Sequence, residues 1–86
     1  MEEYLVKTDS QVGQLLESFR KERGLTQAAL AKRLGVSQQT YSQLERNTSA
    51  ASLGRVLAAL SQLGVELVLR DTKGMLARAP SSPSNW

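Results

Sequence analysis

The 86-residue chain contains no cysteine and no histidine. Without cysteine it cannot form disulfides. Without both residue types it lacks the usual ligands of zinc fingers and the imidazole that most often serves as a general acid or base. Its carboxylates are scattered along the chain rather than grouped. We therefore predict no enzymatic activity, no catalytic residues, no metal site and no cofactor.

Long hydrophobic runs are also missing, because no apolar stretch reaches the length that spans a bilayer. The N-terminus, MEEYLVKTD, is acidic and differs from a signal peptide. Apolar residues still make up 41% of the chain, which is enough for a globular core. We predict a single soluble domain with no membrane contact and a cytoplasmic, nucleoid-associated location.

Positive charge is in modest excess, since 11 lysines and arginines face 8 acidic residues. The excess is concentrated in residues 11–63, which carry seven basic and three acidic side chains, a net charge of +4. A basic surface of this size suits a polyanionic partner, although many basic domains bind none.

Sequence signals for helix starts and ends mark out four helices. Thr8 and Gln11 form a capping-box pattern that begins the first, and serine or threonine caps precede the other three. Glycines end three of them. The predicted helices lie between residues 8 and 24, 26 and 35, 37 and 46, and 52 and 64. The fourth helix should have an apolar face made of Leu53, Val56, Leu57, Leu60 and Leu63.

After the helices, VELVLRD alternates apolar and polar residues, which predicts a strand. A lone strand needs a partner, either residues 3–7 of the same chain or the same strand of a second copy. We expect an N-terminal extended arm (1–8), a helix-turn-helix domain (9–64), a dimerisation strand (65–72) and a flexible Pro/Ser-rich tail (73–86). The strand residues that would pair in a homodimer are Val65, Leu67, Val68 and Leu69.

Residues 27–46, QAALAKRLGVSQQTYSQLER, form two short helical segments around a glycine. Ala31 is small where the two helices would cross, and Gly35 suits a turn that requires positive φ. This is the helix-turn-helix pattern, whose second helix enters the DNA major groove.

The second helix carries three glutamines. Gln38 and Gln39 begin the helix and Gln43 lies about one turn further along, so all three can face base edges. A glutamine amide can pair bidentately with adenine, and Thr40 can contact a thymine methyl or a phosphate. Phosphate contacts are predicted for the polar and basic side chains of this helix pair: Ser37, Ser42, Lys32, Arg33 and Arg46.

The stretch FRKERGLTQAALAKRLGVSQQTYSQLERN resembles the lambda-repressor-like, or XRE-family, DNA-binding domains. The resemblance implies a mainly α fold of four to five helices. It also implies that Gln27 contacts a phosphate, and that Arg20 pairs with Glu45 to hold the helices together. Tyr41 departs from the family pattern, which commonly has a β-branched aliphatic residue at this position.

The segment LGVELVLRD and the terminal tryptophan are similar to the HipB-type antitoxins. That resemblance implies a homodimer joined by its C-terminal strands, binding to a palindromic DNA operator, repression of its own operon, and a HipA-like serine/threonine kinase toxin as partner. Trp86 would then be a partner-binding residue in the tail. Two alternatives remain open: a stand-alone XRE-family repressor without a toxin, and a protein-binding adaptor that reuses the fold.

Overall fold

The computed structural model describes residues 2–72, and the predicted tail at 73–86, including Trp86, lies outside the described residues. Four α-helices follow one another: α1 (Asp9–Glu22), α2 (Gln27–Leu34), α3 (Gln38–Arg46) and α4 (Leu53–Gln62). A single 3-10 turn, Thr48–Ala50, lies between α3 and α4. The predicted mainly helical fold is confirmed. None of the helices in residues 2–72 is long and apolar enough to cross a membrane.

Local sequence signals explain where the helices begin. Thr8 accepts a hydrogen bond from the Gln11 backbone N–H, and the Gln11 side chain accepts one from the Thr8 backbone N–H, so the predicted capping box is present. Hydroxyl side chains also cap α2, α3 and α4, from Thr26, Ser37 and Ser52. Each cap satisfies a backbone donor that the first helical turn leaves unpaired.

The core lies between the four helices and draws on each of them. Its buried apolar residues are Leu16, Phe19, Leu30, Ala31, Tyr41, Leu44, Val56, Ala59, Leu60 and Leu63. The prediction for α4 was partly wrong, because Leu53 and Leu57 are 65% and 41% exposed. Ala59 takes part in the core instead, so the apolar stripe of α4 is narrower than the leucine spacing indicated.

Residues 65–72 form neither a helix nor a strand in the single chain. Their apolar side chains are largely exposed, and Leu69 reaches 91%. Glu3 of the N-terminal arm lies 3.3 Å from Arg70, which brings the two segments together without a hydrogen-bonded ladder among the described residues. A strand cannot satisfy its backbone groups without a neighbour. Pairing of residues 65–72 across a homodimer therefore remains a prediction.

Candidate nucleic-acid interface

The turn between α2 and α3 fixes how the two helices meet. Gly35 has φ 73° and ends α2 in the left-handed conformation, which glycine adopts without steric cost. The Val36 N–H then bonds to the Ala31 carbonyl at 3.0 Å, which closes the last turn of α2. Ser37 caps α3 directly afterwards. The predicted helix-turn-helix geometry is present in full.

One face of α3 is buried and the other is polar and exposed. Tyr41 and Leu44 point into the core, whereas Gln38, Gln39 and Gln43 are exposed. These three amide side chains make no hydrogen bond to any residue within 2–72. The structure therefore places the three predicted base-reading glutamines together on one accessible surface, with their donors and acceptors free.

Two hydroxyl groups organise the start of this surface. The Ser37 hydroxyl accepts a hydrogen bond from the Thr40 N–H at 3.0 Å and donates one to the Thr40 hydroxyl at 2.9 Å. Ser37 thus acts first as a helix cap, a role that is compatible with a phosphate contact. Thr40 is half-buried, as is Ser42.

Three basic residues predicted to contact phosphates lie at the surface of the helix pair. Lys32 and Arg33 are in the last turn of α2, and Arg46 is in the last turn of α3. All three are exposed, and none of them makes an ion pair within residues 2–72. The same range contains no cluster of acidic side chains that could hold a metal ion.

Behind the polar face, α3 is anchored to α1 by a buried ion pair. Arg20 Nε donates to Glu45 Oε2 at 2.7 Å and Arg20 Nη2 donates to Glu45 Oε1 at 3.2 Å. The two side chains are only 9% and 4% exposed. Arg20 Nη1 also donates to the Leu25 carbonyl at 2.9 Å, so the guanidinium is bonded on three nitrogens. The pairing implied by the family resemblance is confirmed.

Gln27 also contacts the Arg20–Glu45 ion pair. Its Nε2 donates to Glu45 Oε1 at 3.0 Å, and the residue is half-buried. The interaction was not predicted from the sequence, because it links residues 18 positions apart in different helices. It leaves the second N–H of the Gln27 amide available for a phosphate, as the resemblance implies.

The Arg20–Glu45 ion pair shifts the pKa values of both side chains. Burial by itself raises the pKa of Glu45, but the hydrogen bonds from Arg20 and Gln27, together with the nearby Tyr41 hydroxyl, outweigh it and hold the pKa below the ordinary glutamate value. The hydrogen bond to Glu45 raises the pKa of Arg20 further. Both groups are therefore charged at neutral pH, and the pair is a fixed feature of the folded domain.

Tyr41 fills the position where the family commonly has an aliphatic residue, and it is completely buried. Burial and the nearby Glu45 carboxylate raise the pKa of its hydroxyl far above the ordinary value. Despite that proximity, the hydroxyl makes no well-formed hydrogen bond to the described residues. The core of this domain thus accepts an aromatic ring at the cost of a poorly satisfied polar atom.

A shallow groove of about 210 Å³ continues the polar face beyond α3. It is lined by side chains from the end of α3 and the start of α4, among them Gln43, Asn47, Ser52 and Arg55. Asn47 was not singled out from the sequence, where an asparagine after a helix indicates only a helix end. The groove widens the surface that a partner could contact.

Comparisons with known proteins agree with this architecture. Residues 16–69 match the family described as Helix-turn-helix. Antitoxin HipB of Escherichia coli O6:H1 strain CFT073 is 31% identical over 68 residues, covering 79% of this chain and 72% of the relative. Antitoxin HipB of Escherichia coli K12 is 29% identical over 68 residues, covering 79% of this chain and 77% of the relative.

Solved structures give the same result. A chain of a HipA–HipB–O2–O3 complex superposes with a TM-score of 0.75 at 28% identity, covering 81% of this chain and 99% of the other. A chain of a HipB–O1–O2 complex superposes with a TM-score of 0.74 at 28% identity, covering 80% and 100%. The chain therefore belongs to the helix-turn-helix family and, within that family, to the HipB antitoxins.

Proposed function

We propose that this protein is a sequence-specific DNA-binding antitoxin that reads a palindromic operator with α3. The observation that carries the proposal is the row of exposed, unpaired amides of Gln38, Gln39 and Gln43 on a helix whose opposite face is anchored in the core. Similar chains occur in solved complexes of HipB with O1–O2 and of HipA and HipB with O2–O3, which supports the same role here.

Base reading follows from the chemistry of the amide group. An adenine edge offers one acceptor and one donor in the major groove, and a glutamine side chain offers the complementary pair. Gln38 and Gln39 lie in the first turn of α3, the part of a recognition helix that reaches deepest into the groove. Gln43 and Thr40 extend the contact to neighbouring bases. No hydrogen bond within the described residues has to be broken before these glutamine amides meet a base.

Phosphate contacts position the helix and supply much of the affinity. Lys32, Arg33 and Arg46 provide charge around the helix pair, and Gln27 and Ser42 provide neutral donors. Each phosphate that is neutralised lowers the slope of log K against log salt by about 0.9. Binding should consequently weaken steeply with salt, on specific and non-specific DNA alike.

A homodimer would present two such helices to one operator. Half-sites would lie about 34 Å apart, one helical turn, or a multiple of that distance. The segment at residues 65–72 is the surface we assign to dimerisation, since Leu67, Val68 and Leu69 are exposed in the single chain.

The DNA-reading proposal is tested with Gln39→Ala in a fluorescence anisotropy titration. The probes are a duplex carrying the promoter of the protein's own operon and a scrambled duplex of equal composition. Losing the glutamine–base pair should cost about 1–3 kcal/mol in each half-site of the promoter duplex and almost nothing on the scrambled one. Gln14→Ala is the matched control, because Gln14 is an exposed glutamine of α1. Equal losses on both duplexes would contradict the base-reading role.

We further propose that the protein represses its own operon and binds a HipA-like serine/threonine kinase toxin. Both relatives are HipB antitoxins, and one structural neighbour is from a HipA–HipB complex, which supports the partner. The test is a nuclease-treated affinity purification of the full chain from its own cells. Recovery of a kinase in near-equal amount supports the antitoxin role. Recovery of the protein alone, with specific promoter binding intact, would indicate a stand-alone repressor.

A further inference from the structure

The first helix touches the recognition helix at a glycine. Gly13 is buried in α1, and a Cβ atom at this position would clash with the Glu45 carbonyl oxygen and would lie 2.5 Å from Thr48 Oγ1. Real Cβ atoms essentially never come closer than 3.0 Å to such atoms. The backbone of α1 can therefore approach the end of α3 only because residue 13 lacks a side chain.

A second contact fixes the same residue of α3. Arg20 lies seven positions after Gly13, close to two helical turns, and hence on the same face of α1. It holds the Glu45 carboxylate through two hydrogen bonds of 2.7 and 3.2 Å. Glu45 is thus held by its main chain at Gly13 and by its side chain at Arg20. We refer to Gly13, Arg20 and Glu45 as the Glu45 clamp.

The clamp sits at the opposite end of α3 from Gln38 and Gln39. Because α3 has only nine residues, it is a rigid rod of about 13.5 Å, and a displacement at Glu45 moves its whole length. Bidentate base contacts tolerate displacements of about 0.5 Å, whereas long basic side chains can follow a phosphate over larger distances. A displacement of Glu45 should accordingly weaken sequence-specific binding more than non-specific DNA binding.

We propose that Gly13 is a positioning residue for sequence recognition: by letting α1 contact the Glu45 main chain, it sets the position at which α3 presents its glutamines to the bases. The inference rests on the proposed DNA-reading function and deepens it. Gly13 is buried inside the domain. It acts through Glu45 and the helix that Glu45 ends.

Gly13→Ala tests the inference, and Gly54→Ala is the matched control. Both glycines are in helices, where alanine has a higher helix propensity than glycine. A Cβ at Gly54 meets nothing within 4 Å. The probes are the duplex that the wild-type protein enriches most from a randomised library, and a scrambled duplex of equal composition. Titrations are run below the melting temperature of every variant.

The readout is the ratio of the two affinities. Simple destabilisation reduces the folded fraction and weakens binding to both duplexes equally, so it leaves the ratio unchanged. We expect Gly13→Ala to bind the selected duplex about tenfold more weakly, and the scrambled duplex within about twofold of wild type. Gly54→Ala should match wild type on both. A Gly13→Ala variant that keeps the wild-type ratio overturns the inference.

Arg20→Lys keeps the inference falsifiable if Gly13→Ala does not fold. Lysine retains the charge but cannot make the bidentate hydrogen bonds that Arg20 makes to the Glu45 carboxylate. The affinity ratio of this variant should fall, and an unchanged ratio overturns the inference. A wild-type protein that enriches no duplex would overturn the proposed function, and the inference with it. A wild-type preference that Gly13→Ala retains, or that Arg20→Lys retains where Gly13→Ala does not fold, overturns the inference alone.

Discussion

At the scale of single residues, Glu45 links three helices behind the proposed DNA surface. Its carboxylate accepts hydrogen bonds from Arg20 and Gln27, and its carbonyl contacts Gly13. The buried Glu45 charge is favourable only while its partners are present. Removing one partner leaves a buried charge without its counter-charge or hydrogen bonds. Three helices depend on this one residue for their relative placement.

Glu45→Gln should destabilise the domain by about 3–5 kcal/mol, since it leaves the buried Arg20 guanidinium without its counter-charge. Urea unfolding at pH 7 measures the change. Glu17→Gln is the matched control, because Glu17 pairs with Lys21 at 2.8 Å on the exposed side of α1. That substitution should cost less than about 1 kcal/mol. Similar losses of unfolding free energy in the two variants would show that the buried Arg20–Glu45 pair stabilises the domain no more than the exposed Glu17–Lys21 pair does.

The same pair makes stability depend on pH. The pKa of Glu45 is lower in the folded domain than its ordinary value of 4.5, so its stabilising effect is present above that value. The effect is lost as the pH falls towards the folded pKa. The stability difference between wild type and Glu45→Gln should therefore shrink below about pH 4.5. A difference that stays constant from pH 7 to pH 3 would show that Glu45 has a normal pKa.

Tyr41→Phe should leave stability unchanged within about 1 kcal/mol, or raise it slightly. The hydroxyl is buried and lacks a well-formed hydrogen bond to the described residues, so removing it relieves a desolvation cost without opening a large cavity. Thermal unfolding measures the effect, and operator affinity should be retained. A loss above about 2 kcal/mol in unfolding free energy would show that the Tyr41 hydroxyl makes a strong hydrogen bond to the Glu45 carboxylate.

At the scale of elements, the turn between α2 and α3 determines the recognition geometry. Gly35→Ala should cost about 1–2 kcal/mol, because alanine in the left-handed conformation places its Cβ too close to the following carbonyl oxygen. Urea unfolding tests this against Gly54→Ala, which should gain up to about 1 kcal/mol from helix propensity. An unaffected Gly35→Ala variant would mean that the turn readily takes another conformation.

The helices could be predicted from the sequence because their signals are local. The Thr8–Gln11 capping box, the serine and threonine caps, and the turn at Gly35 each act within four residues, and the structure confirms them. The apolar face of α4 was predicted less well. Leu53 and Leu57 have the right spacing, but burial depends on which neighbour covers a face, and none within residues 2–72 covers theirs fully.

Contacts between distant residues were beyond local reasoning. The hydrogen bond from Gln27 to Glu45 and the approach of Gly13 to Glu45 join different helices, and no local pattern specifies either. The Arg20–Glu45 pair was anticipated only through the family resemblance. Gln38 and Gln39 were recognisable as candidates because a recognition helix displays its first turn, which the sequence identifies through the Ser37 cap, and Gln43 follows about one turn later.

At the scale of the whole molecule, the assembly depends on residues 65–72. Leu67→Asp should convert a dimer into a monomer, because a charge would enter the apolar surface that we assign to the second copy. Sedimentation equilibrium measures the mass. Ser61→Asp, which adds the same charge on the exposed side of α4, should remain dimeric. A wild-type chain that is monomeric at high micromolar concentration would contradict the dimer.

The central claim is that α3 reads DNA sequence through its glutamines. Parallel selection from a randomised duplex library, with wild type and with Gln39→Ala, tests it most directly. Wild type should enrich a palindrome with half-sites about one helical turn or a multiple apart. Gln39→Ala should enrich the same palindrome with the preference relaxed at one position of each half-site. Enrichment of no sequence, or of identical sequences by both proteins, would contradict the claim.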